Sequence, residues 1–233
     1  MKKFSLLLIC LSLIFSLCAC TDSADNAATE TTAIQETVAE TFSDDKPENS
    51  PDKIFGTWVC DDINDDCYFV FEENGDAFAK WGTCTVYGYF DFYSDENIYD
   101  IEINGFLCNE YSITFEDDEM TLKSEDSEFD FEKAKMPEIT IKAPKELTSD
   151  EKLLGDWQSA SSYECYRFNK DNTAVITDLM NEATIDCKYT CKDGVVTLYY
   201  MSSETKEGNR ELSYSFDEDK LTLGDYEYEK VTQ

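Results

Sequence analysis

Short runs of alternating apolar and polar residues fill most of the chain after residue 52. Phe69 and Phe71 have the same parity, as do Tyr226 and Tyr228, so in an extended segment each pair lies on one face. The runs are rich in Tyr, Phe, Val, Ile and Thr, and acidic or Asn-Gly turn signals separate them. No helix-length pattern interrupts them. The pattern therefore predicts one hairpin after another, in an all-β fold.

The predicted strands form two successive sets. The first set lies near 56–60, 67–72, 76–81, 84–93, 97–103, 109–115, 119–123 and 127–133. The second set lies near 155–159, 163–168, 173–179, 184–190, 195–201, 210–216, 220–223 and 226–231. A meander of this many strands removes its exposed edges by closing into a barrel.

The two sets are copies of one sequence pattern. The matched blocks, each with its partner about 100 residues later, are 54–58 with 153–157, 71–77 with 168–174, 115–122 with 216–223, and 129–133 with 226–230. Their order is the same in both copies, which indicates a duplicated domain.

We therefore predict a first β-domain over 53–134, a linker over 135–150 and a second β-domain over 151–233. The expected fold is all-β, with two tandem small antiparallel up-and-down β-barrels. Strands of about five or six residues would make each barrel shallow and filled by its own aromatic side chains. An arrangement in which both copies contribute to one larger sheet or barrel stays open. Ile139-Thr140-Ile141 in the linker is a candidate edge strand.

The N-terminal segment has a different pattern. A positive start at Lys2 and Lys3 and an apolar run over 4–17 are typical of an export signal. The run ends in Leu17-Cys18-Ala19-Cys20, which resembles the lipobox of bacterial lipoproteins. That resemblance implies a signal peptide over 1–19 and a diacylglyceryl group on Cys20, with Leu17, Cys18 and Ala19 as the rest of the lipobox. A membrane-spanning helix and an ordinary secretory signal are the alternatives.

Residues 20–52 are the lipidated N-terminus and an acidic stretch of Thr, Ala, Glu, Asp, Ser and Pro. We predict a disordered tether with a reach of roughly 30 Å, the alternative being a helix over 27–41. The lipid would then hold an extracellular protein on the outer face of the cytoplasmic membrane.

The composition excludes several function classes. A formal net charge of −32 repels nucleic acid and anionic headgroups, so no nucleic-acid partner is expected and the lipid must do the anchoring. The same charge attracts cations to the surface. The chain has no histidine, which removes the common hydrolytic constellations. We expect no cofactor and no enzymatic activity.

The sequence has ten cysteines. Those at 10, 18 and 20 belong to the signal and lipidation segment, and the others are Cys60, Cys67, Cys84, Cys108, Cys165, Cys187 and Cys191. Outside the cell these residues form disulfides or stay as buried thiols, and the sequence does not choose between the two.

A Gly-x-Trp motif opens each copy, at Gly56 and Trp58 and again at Gly155 and Trp157. Together with the closing Phe/Tyr-x-Phe/Tyr-Glu-Lys strand, it resembles the lipocalin-like domains of lipoproteins in Gram-positive bacteria. The resemblance covers both copies and implies that these glycines and tryptophans close one end of a barrel. Asn172 replaces Gly75 in the second copy, which leaves the type of that turn open.

Residues 61–66 form the densest acidic loop, and within it Asp62, Asn64 and Asp66 have the alternate spacing of a calcium loop. An EF-hand would need glycine where Cys67 stands, so a solvated loop is the favoured interpretation. No other metal ligands are expected.

Three function hypotheses follow. The first is a binding module for a small or envelope-derived ligand. The second is a protein-interaction or envelope-assembly scaffold without a ligand cavity, which would use the exposed aromatic residues Tyr87, Tyr89, Tyr93 and Tyr99. The third is a carboxylate-based hydrolase with two converging acids, which we rank last.

Overall fold

A computed structural model describes residues 51–63 and 66–232. These residues lie within one compact unit, Asp45–Gln233. Within them the fold is all-β, with a single 3₁₀ turn at Pro51–Ile54. The strands of the first repeat are β1 (Gly56–Val59), β2 (Tyr68–Phe71), β3 (Asp76–Trp81), β4 (Cys84–Tyr93), β5 (Ile98–Ile103), β6 (Leu107–Glu116), β7 (Glu119–Lys123) and β8 (Glu128–Lys133). Those of the second repeat are β9 (Gly155–Gln158), β10 (Glu164–Phe168), β11 (Thr173–Asp178), β12 (Ala183–Lys192), β13 (Val195–Met201), β14 (Glu207–Asp217), β15 (Lys220–Leu223) and β16 (Tyr226–Lys230).

The first repeat is an antiparallel closed barrel of eight strands. Each strand pairs with the next, and β8 returns to pair with β1 through Trp58↔Lys133 and Val59↔Glu132. Closure leaves this meander without a free edge inside the repeat, as predicted from the hairpin pattern.

The second repeat has the same pairing scheme. Its strands pair in chain order, and β16 pairs with β9 through Trp157↔Lys230 and Gln158↔Glu229. The predicted strand positions agree with the structure to within a few residues in both repeats.

A direct strand pairing joins the two repeats. The first residues of β4 pair with the first residues of β12 through Val86↔Ala183, Thr85↔Thr184 and Cys84↔Ile185. All sixteen strands therefore belong to one hydrogen-bonded sheet.

Alternate residues along the strands of the first repeat point inward, and these side chains form its core. Phe69 and Phe71 on β2 are fully buried, and Phe131 on β8 packs edge-on against Phe69 with ring centroids 5.4 Å apart. Tyr189, Leu198 and other residues form the equivalent buried cluster in the second repeat.

The hairpin turns use residues that tolerate a left-handed backbone. Gly75 has φ 89° in the first repeat, and Asn172 at the matching turn has φ 61°. Asn is among the few non-glycine residues that adopt this conformation readily, so the replacement preserves the turn.

Three expectations were wrong. Not all strands are as short as five or six residues: β6 has 10 residues and β14 has 11, both longer than predicted, whereas the 10 residues of β4 match the predicted span 84–93. Ile139-Thr140-Ile141 forms no strand. Tyr99 is not exposed, because it shares the inward parity of Ile101 and is only 3% accessible.

The seven cysteines of the described residues are free thiols in this structure. Cys108 is exposed, Cys84 and Cys165 are half-buried, and the other four are buried.

Candidate functional site

The junction between the repeats is held by backbone hydrogen bonds beyond the strand pairing. The Thr83 amide donates to the Met201 carbonyl at 2.9 Å, and the Asp186 amide donates to the Thr83 carbonyl at 3.0 Å. On the other side of the same pairing, the Tyr87 amide donates to the Glu182 carbonyl at 2.9 Å. The position of one repeat on the other is therefore fixed by directional bonds.

Gly82 allows this close approach. It has φ +54°, and an added Cβ would lie 2.1 Å from the Met201 carbonyl oxygen. A residue without a side chain is required there by both the backbone conformation and the contact.

A cleft of ≈ 310 Å³ lies beside this junction, with walls from both repeats. Trp81 and Phe106 contribute the aromatic wall from the first repeat, with ring centroids 5.4 Å apart. Val86, Ile176 and Ile185 add aliphatic surface. The volume is at the lower end of the range for small-molecule sites, roughly 300–1,000 Å³.

The polar groups of the cleft are acids and amides. Glu164, Asp178 and Asn181 come from the second repeat and Asn104 from the first. The Asn104 side-chain amide also donates to the Met180 carbonyl at 3.4 Å, which ties this wall across the junction.

Glu164 belongs to a charged network on the inward face of the second repeat. It shares parity with the buried Tyr166 on β10, and Arg210 pairs with the fully buried Leu198 across β13 and β14. Arg210 Nη1 donates to Glu164 Oε1 at 2.7 Å, and the Tyr166 hydroxyl donates to Glu164 Oε2 at 2.6 Å. Both carboxylate oxygens of Glu164 are thus engaged.

This network sets the protonation state of its members. Burial alone would raise the pKa of Glu164, but the hydrogen bonds from Arg210 and Tyr166 outweigh burial and lower it. The hydrogen bond to Glu164 raises the pKa of Arg210, and burial raises the pKa of Tyr166. Near neutral pH the site therefore holds a carboxylate, a guanidinium and a neutral phenol.

Asp178 lies opposite Glu164 across β10 and β11. Asn181 Nδ2 donates to Asp178 Oδ2 at 2.6 Å, and this hydrogen bond is the main reason that the pKa of Asp178 is lowered. Two carboxylates are therefore ionised side by side, with Arg210 as the cation bound to one of them.

Cys84 is a thiol at the edge of the cleft. Burial raises its pKa to about 11, so the reactive thiolate is scarce near neutral pH. The arrangement is suited to binding a molecule with apolar surface and N–H donors.

No protein-family model matches this chain, and a search of curated proteins finds no match either. The geometry of the cleft is therefore the basis for the functional argument.

Of the Gly-x-Trp residues predicted to be structural, Gly56 lies at the end of β1 away from the residues level with the cleft, and Trp58 lies two positions nearer to them. Gly56 pairs with Phe71, whereas Val59 pairs with Tyr68, the partner of Lys80 next to Trp81. Trp58 is buried, and its indole donates to the Ile54 carbonyl at 2.7 Å while the Lys133 ammonium lies 4.1 Å from the ring centroid.

The second repeat reproduces this arrangement. The Trp157 indole donates to the Leu153 carbonyl at 2.6 Å, and the Lys230 ammonium lies 5.3 Å from its ring. Gly56 and Gly155 have φ of +121° and +117°, so both need glycine. The assignment of these residues to barrel closure remains a prediction.

Other predicted sites are only partly covered by the structure. Leu17, Cys18, Ala19 and Cys20 lie outside the described residues, as does Asn64 of the acidic loop. Asp62 and Asp66 are described and exposed. No cluster of three or more His, Cys, Asp or Glu residues suited to a metal occurs in the described ranges 51–63 and 66–232. Within those ranges no helix has the length and hydropathy to cross a membrane.

Sequence reasoning missed the residues that form the cleft. Trp81, Phe106 and Glu164 were not singled out, since each is an ordinary strand or turn residue in its own repeat. Arg210 carried a usable signal, because it has the parity of the apolar residues Leu212 and Phe216 on the same strand.

Proposed function

We propose that this chain is a membrane-anchored extracellular lipoprotein whose inter-repeat cleft binds a small or envelope-derived ligand. The observation that carries the proposal is a concave site with an aromatic wall from one repeat, Trp81 and Phe106, and a charged rim from the other, Glu164 and Asp178. Mostly apolar clefts with a few converging polar groups at a domain junction are the usual form of small-molecule sites.

The chemistry of the rim selects the kind of ligand. Glu164 and Asp178 are acceptors when ionised, and the amides of Asn104 and Asn181 can accept as well. Trp81 presents a ring next to which a cation is attracted. The ligand that fits best is a small molecule with an apolar body and an ammonium or other N–H donor group, and the net charge of −32 favours its approach.

The architecture we propose is two tandem lipocalin-like barrels, with the ligand between them. It is supported by the matching closure pairs, β1 with β8 and β9 with β16. The buried aromatic residues of both repeats pack against each other inside each strand set, for example Phe168 on Tyr189 with centroids 5.1 Å apart. A junction site agrees with this packing better than a site within a barrel.

Native mass spectrometry of the chain purified from its own envelope tests the binding. We expect a small retained adduct in the wild type and in Tyr93→Ala, a control that removes an exposed ring outside the cleft. The adduct should be lost in Trp81→Ala and weakened in Glu164→Gln. An adduct that survives both cleft substitutions, or no adduct in any form, contradicts the proposal.

A complementary titration uses benzylamine as the probe. Benzylamine combines an aromatic body with an ammonium group, and its binding should change the fluorescence of Trp81 in the cleft. Trp81→Phe should abolish the change, because Trp58 and Trp157 are buried and neither lines the cleft. Benzoate, with the opposite charge, should not bind.

Attachment to the membrane is tested separately. Metabolic labelling with a fatty-acid probe should mark the wild type and not Cys20→Ser. Labelling that persists in Cys20→Ser, or is absent from the wild type, contradicts lipid anchoring at this residue.

An interaction scaffold is the second candidate, and exposed apolar side chains support it. Tyr163, Leu179 and Met180 are 63%, 50% and 57% accessible, and the Leu179 amide donates to the Tyr163 carbonyl, which brings them together beside the cleft. Tyr87 and Tyr89 on β4 are also exposed. Envelope pull-downs that lose a partner in Met180→Ser while the small adduct remains would favour the scaffold.

A carboxylate-based hydrolase gains no support from the cleft. Glu164 and Asp178 face each other, but the pKa of each is lowered, whereas a general acid needs a raised pKa. We therefore propose no reaction for this site, and the expected lack of enzymatic activity stays a prediction.

A further inference from the structure

Two buried cysteines flank the loop between β1 and β2 of the first repeat: Cys60 directly follows β1, and Cys67 directly precedes β2. β1 and β2 pair through Trp58↔Phe69 and Val59↔Tyr68, and continuing this register by one pair beyond the two strands places Cys60 opposite Cys67. Residues directly opposite in an antiparallel pair have Cα atoms about 4.5–5.5 Å apart. A disulfide needs about 4.4–6.8 Å, so the register meets its geometric requirement.

Both side chains are directed to the same side. Cys60 has the parity of buried Trp58, and Cys67 has the parity of buried Phe69. Their accessibilities are 1% and 0%, so both lie in the core.

No other two of the seven described cysteines are opposed in this way. Cys187 and Cys191 lie on one strand, roughly 13 Å apart in extended backbone. Cys67 and Cys84 are separated by the strand that carries Trp81, roughly 9.5 Å across two strand spacings. Both distances exceed the roughly 7 Å limit for a disulfide.

The strand partners of the remaining cysteines are other residue types. Cys84 pairs with Trp81 and Ile185, Cys108 with Glu102, and Cys165 with Thr177.

We infer that Cys60 and Cys67 form a cross-strand disulfide when the protein meets a disulfide oxidant. The bond would close the acidic loop that includes Asp61, Asp62 and Asp66, and would fix it at its base. The second repeat has Ser159 and Glu164 at the opposed positions, so the bond would be particular to the first repeat.

The reaction is thiol–disulfide exchange with a disulfide compound such as oxidised glutathione. The two thiols lose their protons and two electrons, and one S–S bond forms between Cys60 and Cys67. The S–S bond of the oxidant breaks, and its two sulfurs take up the electrons and protons as two thiols. Such a bond persists outside the cytoplasm, the location proposed above on separate grounds.

Refolding the full chain from urea in a buffer of reduced and oxidised glutathione tests the inference. After alkylation of free thiols and digestion without reductant, mass spectrometry should show the peptides of Cys60 and Cys67 joined, with the loss of two hydrogen atoms. The oxidised form should melt roughly 4–8 °C above the reduced form, because the cross-link restricts the unfolded chain.

Variants identify the bond as the source of the shift. Cys60→Ser copies the residue of the second repeat, and its melting temperature should no longer depend on oxidant. Cys108→Ala removes an exposed thiol and should keep the full shift. Alkylation of both Cys60 and Cys67 after refolding in the wild type, or linkage of either to a different cysteine, overturns the inference without reliance on any variant.

Discussion

Arg210 donates a 2.7 Å hydrogen bond to Glu164 from the inward face of the second repeat. In the first repeat the position of Arg210 is taken by Asn109, which pairs with Ile101, and the position of Glu164 is taken by Cys67. The charged pair is therefore particular to the second repeat. Since Glu164 lines the inter-repeat cleft, Arg210 holds one of the acids on the polar side of the proposed binding site.

Arg210→Met should destabilise the fold by about 1–2 kcal/mol at pH 7, because it leaves the half-buried Glu164 carboxylate without its cation. The figure is discounted for the exposure of the pair, whose side chains are 41% and 34% accessible. Urea denaturation measures it. The matched control is Arg167→Met, whose pair with Asp156 involves a more exposed arginine, 58% accessible. That change should stay within about 0.5 kcal/mol, and equal losses for both arginines would contradict the assignment.

The same pair predicts an acid dependence of stability. The folded pKa of Glu164 is lowered, so the unfolded chain binds its proton first as the pH falls. The contribution of the pair is complete above the unfolded pKa of about 4.3 and is lost as the pH falls through the folded value. The difference in unfolding free energy between wild type and Arg210→Met should therefore shrink between pH 5 and pH 3. If this difference in unfolding free energy is constant from pH 5 to pH 3, Arg210 stabilises the fold by packing and not by its charge.

The sequence predicts the strands well because alternation and turn residues are local. The inward position of Tyr99 could also have been predicted from the sequence, since Tyr99 has the parity of Ile101 and Ile103. The cleft could not have been predicted. It exists because Cys84 to Val86 pair with Ala183 to Ile185, and nothing in either segment specifies the other as its partner over about 100 residues.

Gly82→Ala should weaken the junction. The new Cβ would meet the Met201 carbonyl at 2.1 Å at a residue with φ +54°, so the hairpin must move. We expect a loss of about 2–4 kcal/mol and faster hydrogen exchange at the Thr83 amide, which donates to Met201. Gly105→Ala is the control. It has φ +77° but no atom within 4 Å of the added carbon, so it should cost only about 1 kcal/mol of backbone strain.

Trp58→Phe should destabilise the first repeat by about 2–3 kcal/mol. It leaves the buried Ile54 carbonyl without the indole donor and removes the surface under the Lys133 ammonium. Trp157→Phe should have a similar cost for the same reasons in the second repeat. The comparison is Trp81→Phe, a half-buried ring at the cleft, which should cost less than about 1.5 kcal/mol. Thermal denaturation followed by circular dichroism measures all three, and a neutral Trp58→Phe would contradict a role in holding the barrel end.

Tyr99→Phe should leave stability unchanged or raise it by up to about 1 kcal/mol. The Tyr99 hydroxyl is the buried side-chain oxygen without a hydrogen-bond partner in the described residues, and burial raises its pKa to about 12. Removing a buried polar atom that has no partner breaks no hydrogen bond and removes the free-energy cost of taking that atom out of water. Urea denaturation at pH 7 measures the change.

Tyr189→Phe in the second repeat is the matched opposite. Its hydroxyl donates to the Asn169 carbonyl at 3.0 Å, and its side chain is fully buried. Its removal should cost about 1–2 kcal/mol, since the Asn169 carbonyl then loses its donor. If both substitutions destabilise equally, the Tyr99 hydroxyl is hydrogen-bonded in solution and the expected difference between the two cores is wrong. If they differ in sign or by more than about 1 kcal/mol, the orphan hydroxyl is a genuine property of the first core. The aromatic core of the first repeat then contains a hydroxyl that has lost its hydrogen bonds to water without gaining others.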